Sequence, residues 1–62
     1  MSIKDNTFAA ACYNDNSIEE LQDAISSGAD AVDCKNWGID ATTWMEQMKL
    51  ALQEKISNQF QN

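Results

Sequence analysis

Residues 17–38 read SIEELQDAISSGADAVDCKNWG, and the signals inside this stretch decide the fold class. Ser17 is followed three residues later by Glu20, the spacing of a capping box. In that motif each side chain satisfies a backbone donor that the first helical turn leaves free. Ile18, Leu21, Ala24 and Ile25 then recur at intervals of three and four, which lays one apolar stripe along a helix. Glu19, Glu20 and Asp23 fall away from the stripe. The pattern ends at Ser26-Ser27, and Gly28 stands where a left-handed C-cap is expected. Beyond it, Ala31, Val32, Trp37 and Ile39 show no helical period. Residues 29–39 therefore read as an irregular turn or short hairpin, with Gly38 at a tight backbone position.

Working outward, Phe8 to about Tyr13 reads as a short first helix, capped by Asp5 or Thr7 and favoured by three consecutive alanines. Asn14-Asp15-Asn16 is a polar turn cluster. A longer helix starts near Asp40 or Thr43; Thr43 with Glu46 repeats the capping-box spacing. Trp44, Met45, Met48, Ala51, Leu52 and Ile56 share one face, Phe60 extends it, and Leu50 alone sits opposite. The polar NQFQN tail is expected to fray the helix after Ser57. The expectation is a small all-α domain over residues 1–62: three helices, the first two an antiparallel pair and the third packed across them. With 62 residues there is room for one domain, and its core is marginal, since such a chain buries only about 60% of its unfolded surface.

The order of parts resembles an ankyrin repeat. Thr7 falls at the repeat's opening threonine, and Asn16 at the turn usually taken by glycine. Leu21, Ala24 and Ile25 take apolar places of the second helix, and Gly28-Ala29-Asp30 matches the following loop. Gly38 arrives where the next repeat's glycine would be. Phe8-Ala9-Ala10 departs from the proline-leucine-histidine that normally follows the threonine, and IDATTWMEQM after Gly38 leaves the pattern. The likeness covers about Thr7 to Gly38, one degenerate repeat. It implies a protein-binding role, with the first helix and the hairpin as contact elements.

Charge narrows the function classes further. Ten acids oppose four lysines, with no arginine or histidine, giving a net charge of −6. The excess is lopsided: residues 1–34 hold seven acids against Lys4, while residues 35–62 balance three acids with three lysines. Phosphate backbones are bound through clustered Lys and Arg, so direct binding to nucleic acid or to an anionic membrane is not expected. A basic protein surface is what such a field attracts.

Enzymatic chemistry is short of parts. Histidine, the commonest acid–base residue and metal ligand, is missing, and no phosphate-cradling glycine motif or nucleophile elbow occurs. Cys12 and Cys34 lack CxxC spacing and read as small buried thiols, although one bridge between them is conceivable. A calcium loop starting at Asp15 puts Glu20 at the obligatory glycine, and one starting at Asp33 puts Trp44 at the bidentate glutamate; both fail. No cofactor or metal is expected. The N-terminus lacks the apolar core of a signal peptide and no run approaches the roughly 18 apolar residues of a membrane span, so the expected location is cytoplasmic.

What remains is surface. Asp15, Glu19, Glu20, Asp23, Asp30 and Asp33 form an acidic run uninterrupted by any base, and Trp37 beside glycine reads as an interface anchor or as a lid on a small core. Trp44, Met45 and Met48 could line a groove, but their helical spacing reads first as core. The expectation is a non-enzymatic, acidic interaction module that binds a basic protein, of the kind found among phage and prophage accessory or inhibitory factors. The alternatives are a nucleic-acid mimic that competes for a DNA- or RNA-binding protein, and a structural homo-oligomer such as a homodimer.

Overall fold

A computed structural model describes residues 8–61, and among these all regular secondary structure is helical, without strands. Four helices follow in order: α1 (Phe8–Asp15), α2 (Ile18–Ser27), α3 (Ala31–Trp37) and α4 (Ala41–Gln61). The domain is all-α with a longer C-terminal helix, as the sequence pattern predicts. The expected caps Asp5 and Thr7 lie outside the described residues.

α2 forms as its signals require. Ser17 N–H donates to Glu20 Oε1 at 2.8 Å and Glu20 N–H donates to Ser17 Oγ at 3.1 Å, the two halves of the capping box. Gly28 ends it, but at φ 101° and ψ 175° rather than in the expected left-handed helical conformation. Its positive φ with extended ψ is a region open essentially only to glycine.

The irregular or hairpin-like link expected over residues 29–39 is corrected by α3. Asp30 is its N-cap, with Oδ1 accepting from Val32 N–H at 2.8 Å and Asp33 N–H at 3.1 Å. Gly38 supplies the left-handed cap, φ 66° and ψ 37°. Ile39 N–H donates to Cys34 O at 3.0 Å and Gly38 N–H to Lys35 O at 3.3 Å, the paired bonds of a Schellman motif. Seven residues are too few to display an apolar period, so caps alone define this helix. A Cβ added at Gly38 or Gly28 meets nothing within 4 Å, so substitution there carries a purely conformational cost. Gly38→Ala should therefore destabilise by about 1–2 kcal/mol. Urea unfolding should show a lower midpoint at unchanged slope; an unchanged midpoint would mean the cap contributes nothing.

Asp40, not Thr43, caps α4. Its Oδ1 accepts from Thr43 N–H at 2.7 Å, and the Thr43 backbone and side-chain hydrogen bonds hold the Asp40 carboxyl below its ordinary 3.8. The helix does not fray after Ser57 but runs on to Gln61. Nothing in NQFQ breaks a helix, and Asn58 ties the last turns inward by donating to Glu54 O and to the Tyr13 hydroxyl. Phe60, expected to extend the apolar face, is instead 83% exposed, while Leu50 lies exposed as expected.

The core joins three helices: Phe8 and Cys12 from α1, Leu21 from α2, and Trp44, Met48 and Ala51 from α4. α1 and α2 meet chiefly through α4, which acts as the platform for the whole fold. α1 is held by α4 side chains along its length. Gln47 Oε1 accepts from Ala9 N–H at 3.0 Å near one end. At the other, Lys55 Nζ donates to Tyr13 O at 2.6 Å while lying 5.2 Å from the Tyr13 ring centroid. A cation at a helix C-terminus is favoured by the helix dipole, so Lys55 both pairs a free carbonyl and opposes the local field.

Candidate functional site

A cavity of about 500 Å³ opens between α2, the link to α3, and α4. Its inner wall is apolar: Cys12, Ala24, Trp44 and Met48. Its polar residues are Asn16, Glu20, Asp23, Ser27, Asp30 and Asp33, with no lysine among the residues lining it. The helix joint explains the clustering. Glu20 and Asp23 lie one turn apart on α2, and the short link after Gly28 turns the start of α3, with Asp30 and Asp33, toward the same opening.

The four acids differ in their duties. Glu20 is held by the capping box and Asp30 by the N-cap of α3, so both are positioned by backbone donors. Asp23 and Asp33 serve no cap among the described residues. One of the lining residues, Trp44, also carries a buried donor. Trp44 is 1% exposed, and its Nε1–H is buried with no hydrogen-bond partner among the described residues. A buried donor left unsatisfied costs about 1–3 kcal/mol, so its presence in a domain with so small a core calls for an account.

The other residues singled out in the sequence lie elsewhere. Asp15 ends α1 and Glu19 faces solvent on α2; neither lines the cavity. Trp37 is the last residue of α3. Its ring meets Phe8 edge-on at 5.3 Å between centroids, and 42% of the residue stays exposed. It is a partial lid on the core, since Phe8 is sandwiched between it and Trp44 at 6.3 Å. Sequence reasoning placed Trp44, Met45 and Met48 first in the core, with a groove as the alternative; Trp44 and Met48 are core residues that also line this cavity, and Met45 packs against the core away from it. Periodicity shows which face is buried, not where packing leaves a gap.

The thiols are free and poorly suited to nucleophilic work. Burial pushes Cys12 up from 9.0 to about 11, with the Asp33 and Asp15 carboxylates adding to the shift, and its Sγ lies 3.4 Å from Met48 Sδ. Partial burial, followed by Asp30, Asp33 and Asp40, also raises Cys34. Both stay protonated at neutral pH, and the thiolate is the reactive form. No group of three or more Cys, Asp or Glu among the described residues is arranged to hold a metal ion.

The Cys12 shift has a consequence for stability. A thiol whose pKa is higher folded than unfolded binds its proton more tightly in the folded state. Its stabilisation is complete below pH 9.0 and is lost as the pH climbs through about 11. Melting temperature should fall more steeply across that interval for the natural chain than for Cys12→Ala. Equal slopes would show that Cys12 does not titrate with folding.

No protein-family model, curated protein or solved structure matches the chain. Among the described residues, no helix is long and apolar enough to cross a membrane.

Proposed function

We propose that the chain is a small, acidic, non-enzymatic interaction module that binds a basic protein surface through the corner where α2 meets α3. One observation carries this reading: Glu20, Asp23, Asp30 and Asp33 surround a single cavity with no lysine lining it. Acids gathered around one opening present a field that a basic partner complements. The thiols held in their protonated form and the absence of histidine support a role without covalent or acid–base chemistry. The ankyrin-like order of residues 7–38 points the same way, with the α2–α3 corner in place of a hairpin as the contact element. An accessory or inhibitory factor acting in the cytoplasm fits this size and charge.

Affinity capture from the native host tests the reading, with the natural chain and Asp23→Lys/Asp33→Lys run side by side. Neither aspartate caps a helix, so both chains should fold. The natural chain should retain a basic protein that salt releases, and the variant should lose it. Recovery of the same partner by both chains contradicts the reading.

A second reading, self-association, is favoured by the exposed apolar residues Leu50 and Phe60 on α4 and Val32 on α3. It predicts a dimer at micromolar concentration, and a monomeric mass by light scattering removes it.

A further inference from the structure

α3 is held differently from the other helices. It contributes no buried residue, whereas α1, α2 and α4 each place at least one in the core. Among the described residues, no hydrogen bond joins it to another helix. Its bonds stay within itself and its caps: Cys34 N–H donates to Asp30 O at 2.9 Å, Ile39 N–H to Cys34 O at 3.0 Å, and Asp30 Oδ1 accepts from Val32 and Asp33. What ties it sideways is apolar and thin. The Trp37 ring meets Phe8 edge-on, Cys34 packs half-buried against the core, and Val32 stands 67% exposed. Gly28 and Gly38 close its two ends at positive φ, with open space where a Cβ would lie, so the backbone can turn there with no side chain in the way. Seven residues are also well short of the roughly 12–15 at which an isolated helix holds in water, so α3 stays helical only while it rests on the body.

We propose that α3 is a flap, latched by Trp37 on Phe8, which swings out on Gly28 and Gly38 and unwinds while α1, α2 and α4 stay packed. The helix has the marks of a low-stability segment: few buried apolar contacts and an exposed backbone. Asp30 and Asp33 line the same cavity as Cys12 and Met48, so the departure of α3 widens that cavity and uncovers the Cys12 thiol. It also takes the acidic corner apart, because Asp30 and Asp33 leave with α3 while Glu20 and Asp23 remain on α2. A partner that engages all four acids therefore binds the closed state alone and holds the flap shut. That consequence rests on the corner being the docking surface; the flap itself does not, and its test uses the chain alone, so either can fail without the other.

Native-state amide exchange of the natural chain, in urea below its unfolding transition, decides between a flap and a single cooperative unit. The amides of Cys34, Gly38 and Ile39 should exchange at least about tenfold faster than the slowest amides of α4, with little response to urea, because opening α3 exposes little surface. The α4 amides should respond steeply, as global unfolding does. Alkylation of Cys12 by iodoacetamide, separated from that of Cys34 by mass spectrometry of the digest, should share the shallow response of the α3 amides. Trp37→Ala removes the latch and should speed α3 exchange and Cys12 alkylation together by about tenfold. Three results each overturn the proposal. α3 amides that follow urea as steeply as those of α4 would mean that the helix leaves only with the whole domain. Cys12 alkylated as fast as in the urea-unfolded chain, or only with the steep response of α4, would mean that α3 does not gate it. Unchanged α3 exchange in Trp37→Ala would mean that Trp37 latches nothing.

Discussion

Trp44→Ala is expected to abolish folding at room temperature. Trp44 is 1% exposed and packs on Phe8, and the same wall holds Met48 and Cys12. Deleting a buried tryptophan costs about 3–5 kcal/mol, because the transfer free energy of the ring is lost and a hole is left behind. A single core in a chain below roughly 70 residues rarely supplies more than about 3–5 kcal/mol in total. The loss therefore matches the whole reserve. Circular dichroism at 25 °C should show the helical signal largely gone. Trp44→Phe is the informative companion: it loses less volume and also removes the unsatisfied Nε1–H, so the two effects oppose each other and the fold should survive. A folded, cooperative Trp44→Ala would contradict the placement of this residue at the centre of the core.

The second large effect is expected at Leu21. It is fully buried and is the one residue of α2 classed as buried, so the attachment of α2 to α4 depends heavily on it. Leu21→Ala should cost about 2–5 kcal/mol. Unlike the loss of Trp44, it should act locally first. The capping box and Gly28 hold α2 helical but do not hold it against α4. Amide exchange should therefore accelerate in residues 18–27 more than in α4, and binding of the basic partner should weaken with it, because Glu20 and Asp23 ride on α2. Uniform acceleration across all helices would show instead that α2 unfolds only with the whole domain.

How much of this was legible in the sequence depended on which signal each element carries. α2 announces itself through a capping box and an apolar stripe, and both are present in the structure. α4 shows its buried face through Trp44, Met48 and Ala51 at helical spacing, although its polar last turn reads as a frayed end. α3 was legible only through Asp30 and Gly38, a cap at each end of seven residues; reading those as turn residues gave a hairpin in place of a helix. The ties from Gln47 and Lys55 to α1 span some forty positions and leave no local trace. The acidic run pointed to Glu20, Asp23, Asp30 and Asp33, but sequence order could not separate them from Asp15 and Glu19, which the fold leaves off the cavity. That separation depends on the angle at which α3 leaves Gly28, and a backbone angle is set by packing as much as by the residue.

Calorimetry with the recovered partner shows whether binding is concentrated at the α2–α3 corner. Glu19→Lys and Asp23→Lys/Asp33→Lys should be compared with the natural chain at two ionic strengths, since salt screens exposed charges. Glu19→Lys should weaken binding modestly and only at low salt, while the double variant should abolish it under both conditions. Equal, salt-dependent losses in the two variants would contradict it, because they would mean that net charge, and not the corner, recognises the partner.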